Sequence, residues 1–174
     1  MTNRLFQKGD RVVYGTSGIY QIEEIGPIDF GAPDQPYYTL RPLSDKGSLT
    51  FVPCNNETLT ARLRYLMTRE EIETVLKEHL STPMTWDSDR KTRLVTFRDI
   101  LTEGRPPELL SLIRCLLLQK KTLEHSGRRL SLSDSETLQI ALHSIHSEFS
   151  LSLGIPPGGV PDYILSQLGA DAVI

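Results

Sequence analysis

Near Thr58 the spacing of apolar residues changes from two to about 3.6, and no single element type satisfies both periods. The chain is therefore predicted to fold as strands first and helices afterwards. Arg11-Val12-Val13-Tyr14 is β-branched and aromatic. Gly15-Thr16-Ser17-Gly18 has a turn composition that returns the chain into Ile19-Tyr20-Gln21-Ile22, predicting a hairpin. A Gly-, Pro- and Asp-rich connection over residues 26–36 leads to a strand at Tyr37-Tyr38-Thr39-Leu40. Ser44-Asp45-Lys46-Gly47 then turns the chain into Ser48-Leu49-Thr50-Phe51-Val52, which Pro53 stops because proline cannot donate to a ladder. Four or five short strands in so short a span predict a small, strongly bent barrel of SH3 or Tudor type that closes most of its edges.

Helical punctuation follows. Thr68 and Glu71 are spaced as a capping box ahead of Ile72, Val75 and Leu76, in a helix ending near Leu80. Pro83 breaks the chain and marks a boundary. Beyond it, Leu94, Phe97, Ile100 and Leu101 share one face of a helix stopped by Gly104. Pro106-Pro107 suits the first turn of the next helix, whose Leu109, Leu110, Leu112, Ile113, Leu116 and Leu117 form an apolar belt that predicts a central position. Gly127 ends that region, and Ser133 with Glu136 is predicted to cap a helix carrying Leu138, Ile140, Ala141, Leu142, Ile145 and Phe149. Gly154 and Pro156-Pro157 stop it, and a short helix over 163–168 completes the chain. The expected fold class is α+β: an N-terminal Tudor/SH3-like β-barrel (1–66), a connecting helix and linker (67–83) and a C-terminal all-α bundle of three or four helices (84–174).

Composition narrows the function. A chain of 174 residues with 39% hydrophobic and 24% charged side chains can bury a core and is not disordered throughout. It has neither a long apolar run nor an apolar core in MTNRLFQKGD, so the expectation is a cytoplasmic protein without a membrane partner. Cys54 and Cys115 are too few for a disulfide framework and are read as reduced thiols. The net charge of −3 argues against indiscriminate nucleic-acid binding, yet it averages over a pattern. Residues 90–129 carry 10 basic and 4 acidic groups, a local excess of +6, whereas residues 130–174 carry no basic group and 5 acidic ones. Such a stretch is either a solvated helix face or a nucleic-acid footprint.

Groups for catalysis are sparse. His143 and His146 have a metal-compatible spacing on a predicted helix, but no third ligand accompanies them, and half-buried helix histidines explain them. Gly15 to Gly18 lacks the lysine-serine ending of a phosphate loop. Neither an enzyme nor a cofactor site is expected, nor a small-molecule substrate. Trp86 stands out as the one tryptophan. It lies outside any apolar helical stripe, with Arg90, Lys91 and Arg93 close behind, an arrangement suited to a wedge beside phosphate-holding cations.

A family resemblance adds to this reading. Phe6-x-Lys8-Gly9-Asp10-x-Val12-Val13-Tyr14, Gly18-Ile19-Tyr20-x-Ile22, Tyr37-Tyr38-x-Leu40-x-Pro42, Val52-Pro53, Leu63-Arg64 and Leu66-Met67 together resemble the CarD/CdnL family of bacterial transcription regulators. The same module occurs in the transcription-repair coupling factor, whose helicase motors this chain lacks. Trp86, Glu103-Gly104, Gln119-Lys120-Lys121, Leu130-Ser131, Asp134 and Glu148-Phe149 are similar to the stand-alone members. The resemblance implies a non-enzymatic regulator that binds the β subunit of RNA polymerase through its barrel. It also implies that the helical domain touches promoter DNA at the upstream edge of the melted bubble, with Trp86 wedged into the minor groove to stabilise the open complex.

On this reading the DNA-binding candidates are Trp86, Arg90, Lys91, Arg93, Arg98, Arg128 and Arg129, and the polymerase-binding candidates are Tyr38, Leu40, Arg41, Phe51, Val52 and Pro53. The chain would associate with the nucleoid through polymerase. It departs from the family at Asp87 and Asp89, where members often carry basic residues. For Lys120, Lys121, Arg128 and Arg129 a solvated helix end stands beside phosphate contact as an explanation. The alternative function is a protein-protein adaptor that docks on polymerase without touching DNA.

Overall fold

The structure is a computed structural model that describes residues 6–44, 47–79 and 84–168. The expected turn residues Asp45 and Lys46, the helix end at Leu80, the break at Pro83 and the tail 169–174 lie outside the described residues. The chain divides into two compact units, residues 1–66 and 67–174.

The front unit is one antiparallel sheet of β1 (Arg11–Tyr14), β2 (Gly18–Gly26), β3 (Tyr37–Pro42), β4 (Thr50–Pro53) and β5 (Leu63–Tyr65) in the order β4-β3-β2-β1-β5. The expected hairpin forms, with Tyr14 opposite Gly18 and the Ser17 N–H donating to the Tyr14 carbonyl at 3.0 Å. β2 runs on for nine residues, and its register against β3 slips between Ile22 and Glu24, a bulge that bends the strand. Alternation along the strands sends Val12, Ile22, Leu40 and Val52 inward beside Tyr20, Tyr38 and Leu63.

Among the described residues the sheet does not close. β4 and β5 are its outer strands, with only four and three residues, so the expected barrel is instead an open sheet with two edges. The helical period expected from Thr58 also starts later. Glu57–Thr60 makes a single turn (α1), capped by Asn56, whose side chain accepts from the Leu59 N–H, and the chain then returns as β5 beside β1. Three residues are too few to display a period, so the pairing with β1 decides this strand.

The rear unit contains α2 (Arg69–His79), α3 (Arg90–Glu103), α4 (Pro106–His125), α5 (Leu132–Leu153), a 3-10 turn (Pro157–Gly159) and α6 (Val160–Leu168). The Thr68 capping box forms as its spacing predicts. The Thr68 N–H donates to Glu71 Oε2 at 2.8 Å, and the Glu71 N–H to Thr68 Oγ1 at 3.3 Å. Gly104 and Gly154 end α3 and α5 at φ of 64° and 67°, left-handed positions that a Cβ would strain.

Leu109, Leu110, Leu112, Ile113 and Leu116 are fully buried, which makes α4 the central helix, packed against α2, α3 and α5. Phe97, Ala141, Ile145, Phe149, Val160 and Ile164 join it from the surrounding helices. Residues 67–79, read from the sequence as a connector, lie in this unit, because Ile72, Val75 and Leu76 bury their side chains in the same core. Glu148 is 1% exposed, and its Oε1 accepts from the Met67 N–H at 3.0 Å, tying the start of the unit to α5.

Candidate functional site

The segment around Trp86 is organised by two acids. Asp89 caps α3: its Oδ1 accepts from the Lys91 N–H at 3.2 Å and its Oδ2 from Thr92 Oγ1 at 2.5 Å. The bond from Thr92 is the main reason its carboxyl lies below the usual aspartate range. Asp87 Oδ1 accepts from the Asp89 N–H at 2.8 Å. The two residues that depart from the family pattern thus start the basic helix. Along α3, Arg90, Lys91, Val95 and Arg98 face solvent, while Arg93 and Phe97, one turn apart, face inward.

Arg93 is the correction to the sequence reading. It is 7% exposed, and its guanidinium meets the buried Asp134 of α5 through two contacts, Nε to Oδ1 and Nη2 to Oδ2, each 3.3 Å. Nη1 donates to the Asp87 carbonyl at 2.8 Å, and the plane lies over the indole of Trp86 with Cζ 4.2 Å from the ring centroid. Its charge is spent inside the unit rather than offered to a phosphate. Trp86 itself is partly exposed: it packs on the rear core and meets Phe97 edge-on at a centroid distance of 6.3 Å.

The start of α5 differs as well. Its cap is Ser131 rather than Ser133, with Ser131 Oγ accepting from the Asp134 N–H at 3.2 Å and donating to Asp134 Oδ2 at 2.6 Å. Asp134 is drawn back to the cap and inward to Arg93, a pull that Glu136, exposed at the surface, does not experience. The Arg93–Asp134 pair therefore brings together the N-terminal turns of α3 and α5. Trp86, Arg90 and Lys91 lie at this joined end of the rear unit, where both helix dipoles add positive potential, and the exposed Arg128 and Arg129 stand in the loop that leads into α5. A groove of about 690 Å³ opens beside the loop, with Lys120, Arg128 and Arg129 around Leu130, Leu138 and Leu142. Arg98 stands apart, two turns along α3.

In the front unit, Tyr38, Leu40 and Val52 are 5%, 0% and 1% exposed and belong to the sheet core. Tyr38 and Leu40 are moreover on β3, which is paired on both sides, so of the three only Val52, on the outer strand β4, could meet a partner, and then through its backbone. Burial also pushes the Tyr38 phenol and the neighbouring Cys54 thiol above their usual ranges. The side chains available on this face are Arg41, which pairs with Glu23 at 2.9 Å, and the partly exposed Phe51 and Pro53. Sequence reasoning missed Phe30. It is 74% exposed and meets Phe51 edge-on at 5.0 Å, placing an apolar aromatic pair beside the outer strand β4. A large aromatic in a loop of Gly, Pro and Asp was the available signal.

Among the described residues no three of His, Cys, Asp or Glu gather to hold a metal, and no helix is long and apolar enough to cross a membrane. His143 and His146 share α5, and burial, with the neighbouring His143, lowers the pKa of His146 below its usual value. No curated protein matches the chain. Residues 6–66 match the family model of the CarD-like/TRCF RID domain, and this span coincides with the five-stranded sheet and its core. Residues 6–66 thus form a CarD-like RNA polymerase interaction domain, which supports RNA polymerase binding and a part in transcription regulation for the front unit.

Proposed function

We propose that the chain is a non-enzymatic regulator that grips the β subunit of RNA polymerase with its bent, Tudor-like front sheet and stabilises the open promoter complex with its rear unit. The free edge of β4, flanked by Phe51 and Phe30, suits strand addition by a partner. Trp86 is the minor-groove wedge at the upstream edge of the bubble, with Arg90, Lys91, Arg128 and Arg129 holding phosphates around it. The observation that carries the reading is one partly exposed indole at the joined N-termini of two helices, with Arg90 and Lys91 exposed at the start of α3 and making no ion pair within the described residues. Tethering through polymerase accounts for a sequence pI near 5.8, because a protein delivered at high effective concentration needs little charge of its own. A differential affinity of about 1–3 kcal/mol for the open state is enough to shift promoter populations.

The test is Trp86→Ala in a promoter-lifetime assay with purified polymerase. The lifetime of open complexes falls several-fold, towards that seen without the protein, while polymerase binding persists. An unchanged lifetime removes Trp86 from the DNA. The adaptor reading draws on the exposed Leu132 (76%) and Ile140 (44%) of α5. It prevails if residues 84–129 fail to crosslink to promoter DNA in a complex that holds polymerase.

A further inference from the structure

We propose that Arg93 and Asp134 form a positioning clasp that fixes Trp86 in the orientation needed for its insertion. The proposal rests on the reading of Trp86 as the wedge and adds what orients it. An indole on an irregular segment has two torsions of its own and a backbone that no helix or sheet ladder fixes. Arg93 constrains both. Its Nη1 bonds the carbonyl of the next residue, Asp87, and its guanidinium plane covers one face of the ring. The remaining nitrogens meet both oxygens of Asp134, whose own position is set by Ser131 at 2.6 Å. Every link in this chain originates on the first turns of α3 and α5, so the ring is referred to two helices rather than to its own loop.

Stability gives a weak reason for such a pair. Burying two charges costs several kcal/mol per ion, and an apolar pair of similar volume often serves as well or better. What an apolar pair cannot do is bond the Asp87 carbonyl or stack a planar cation on the indole. Arg93 is thus a positioning residue that acts through Trp86.

The double variant Arg93→Met/Asp134→Leu tests this, since it removes the clasp without leaving an unpaired buried charge. Trp86 is the one tryptophan, so intrinsic fluorescence reports its surroundings alone. In the free protein, thermal melts should show a folded rear unit, while acrylamide quenching rises and the emission changes as the guanidinium leaves the ring. Open-complex lifetime should fall several-fold, towards the Trp86→Ala value. Arg93→Lys, which keeps the charge and loses the planar stack, should show the same spectral change with a smaller loss of lifetime. Unchanged quenching in both variants overturns the clasp. Changed quenching with full lifetime overturns its role in insertion. If Trp86→Ala itself leaves lifetime untouched, the wedge reading fails, while the fluorescence result still decides whether the clasp orients the ring.

Discussion

The Arg41–Glu23 pair of the front unit and the Arg93–Asp134 pair of the rear unit use the same chemistry at opposite ends of exposure. The first has side chains 50% and 42% exposed, the second 8% and 3%. In the front unit, charge lies on the outside of a sheet whose core is aliphatic and aromatic, and what it offers a partner is backbone edge and a pair of phenylalanines. In the rear unit, charge is part of the interior and aligns two helix ends. The difference teaches that a cation's place in the sequence does not tell whether it faces a ligand or a neighbouring helix.

The comparison breaks most readily at Asp134. Asp134→Ala leaves Arg93 buried without its counter-ion and is expected to destabilise the rear unit by about 3–5 kcal/mol. Urea unfolding followed through Trp86 fluorescence measures this, and a cost near that of a surface pair would erase the distinction.

Acidification should have a smaller effect on the same unit. The folded-state pKa of His146 lies below the usual 6.5, chiefly through burial, so the unfolded chain binds its proton first. Its contribution is fully present above pH 6.5, declines as the pH falls through the window between 6.5 and the lowered folded value, and then levels off. His146→Gln should flatten that part of the stability profile; an identical profile would assign it to other groups.

Arg41→Ala should matter least, costing at most about 1 kcal/mol, because both partners are well solvated. Front-unit unfolding can be followed through tyrosines, since Tyr14, Tyr20, Tyr37, Tyr38 and Tyr65 all lie there. A larger loss would mean that the exposed pair also shapes the sheet.

Elements that declare themselves locally were legible in the sequence. The Thr68–Glu71 box, the glycine stops at 104 and 154, the proline start of α4 and its apolar belt all rest on interactions within a few residues of one another. Features settled by distant partners were not. β5 exists because β1 lies beside it, and the cap of α5 sits at Ser131 because Asp134 is drawn to a residue forty-one positions away. The site divides the same way. Trp86 could be singled out by its setting, but Arg93 reads as one more cation in a basic run. Its spacing of four from Phe97, on the inward face, was the one hint that it turns inside.

The bond from the Met67 amide to Glu148 has a mechanical side. Pulling on the front module transmits tension along the peptide to this point, and there the chain is pinned to the side of a 22-residue helix rather than to a fraying end. Thr68 and its capping partner reinforce the same spot immediately afterwards. Strain borne by a molecule held through its front unit would therefore be taken up by the longest of the described helices rather than by the short α2 alone.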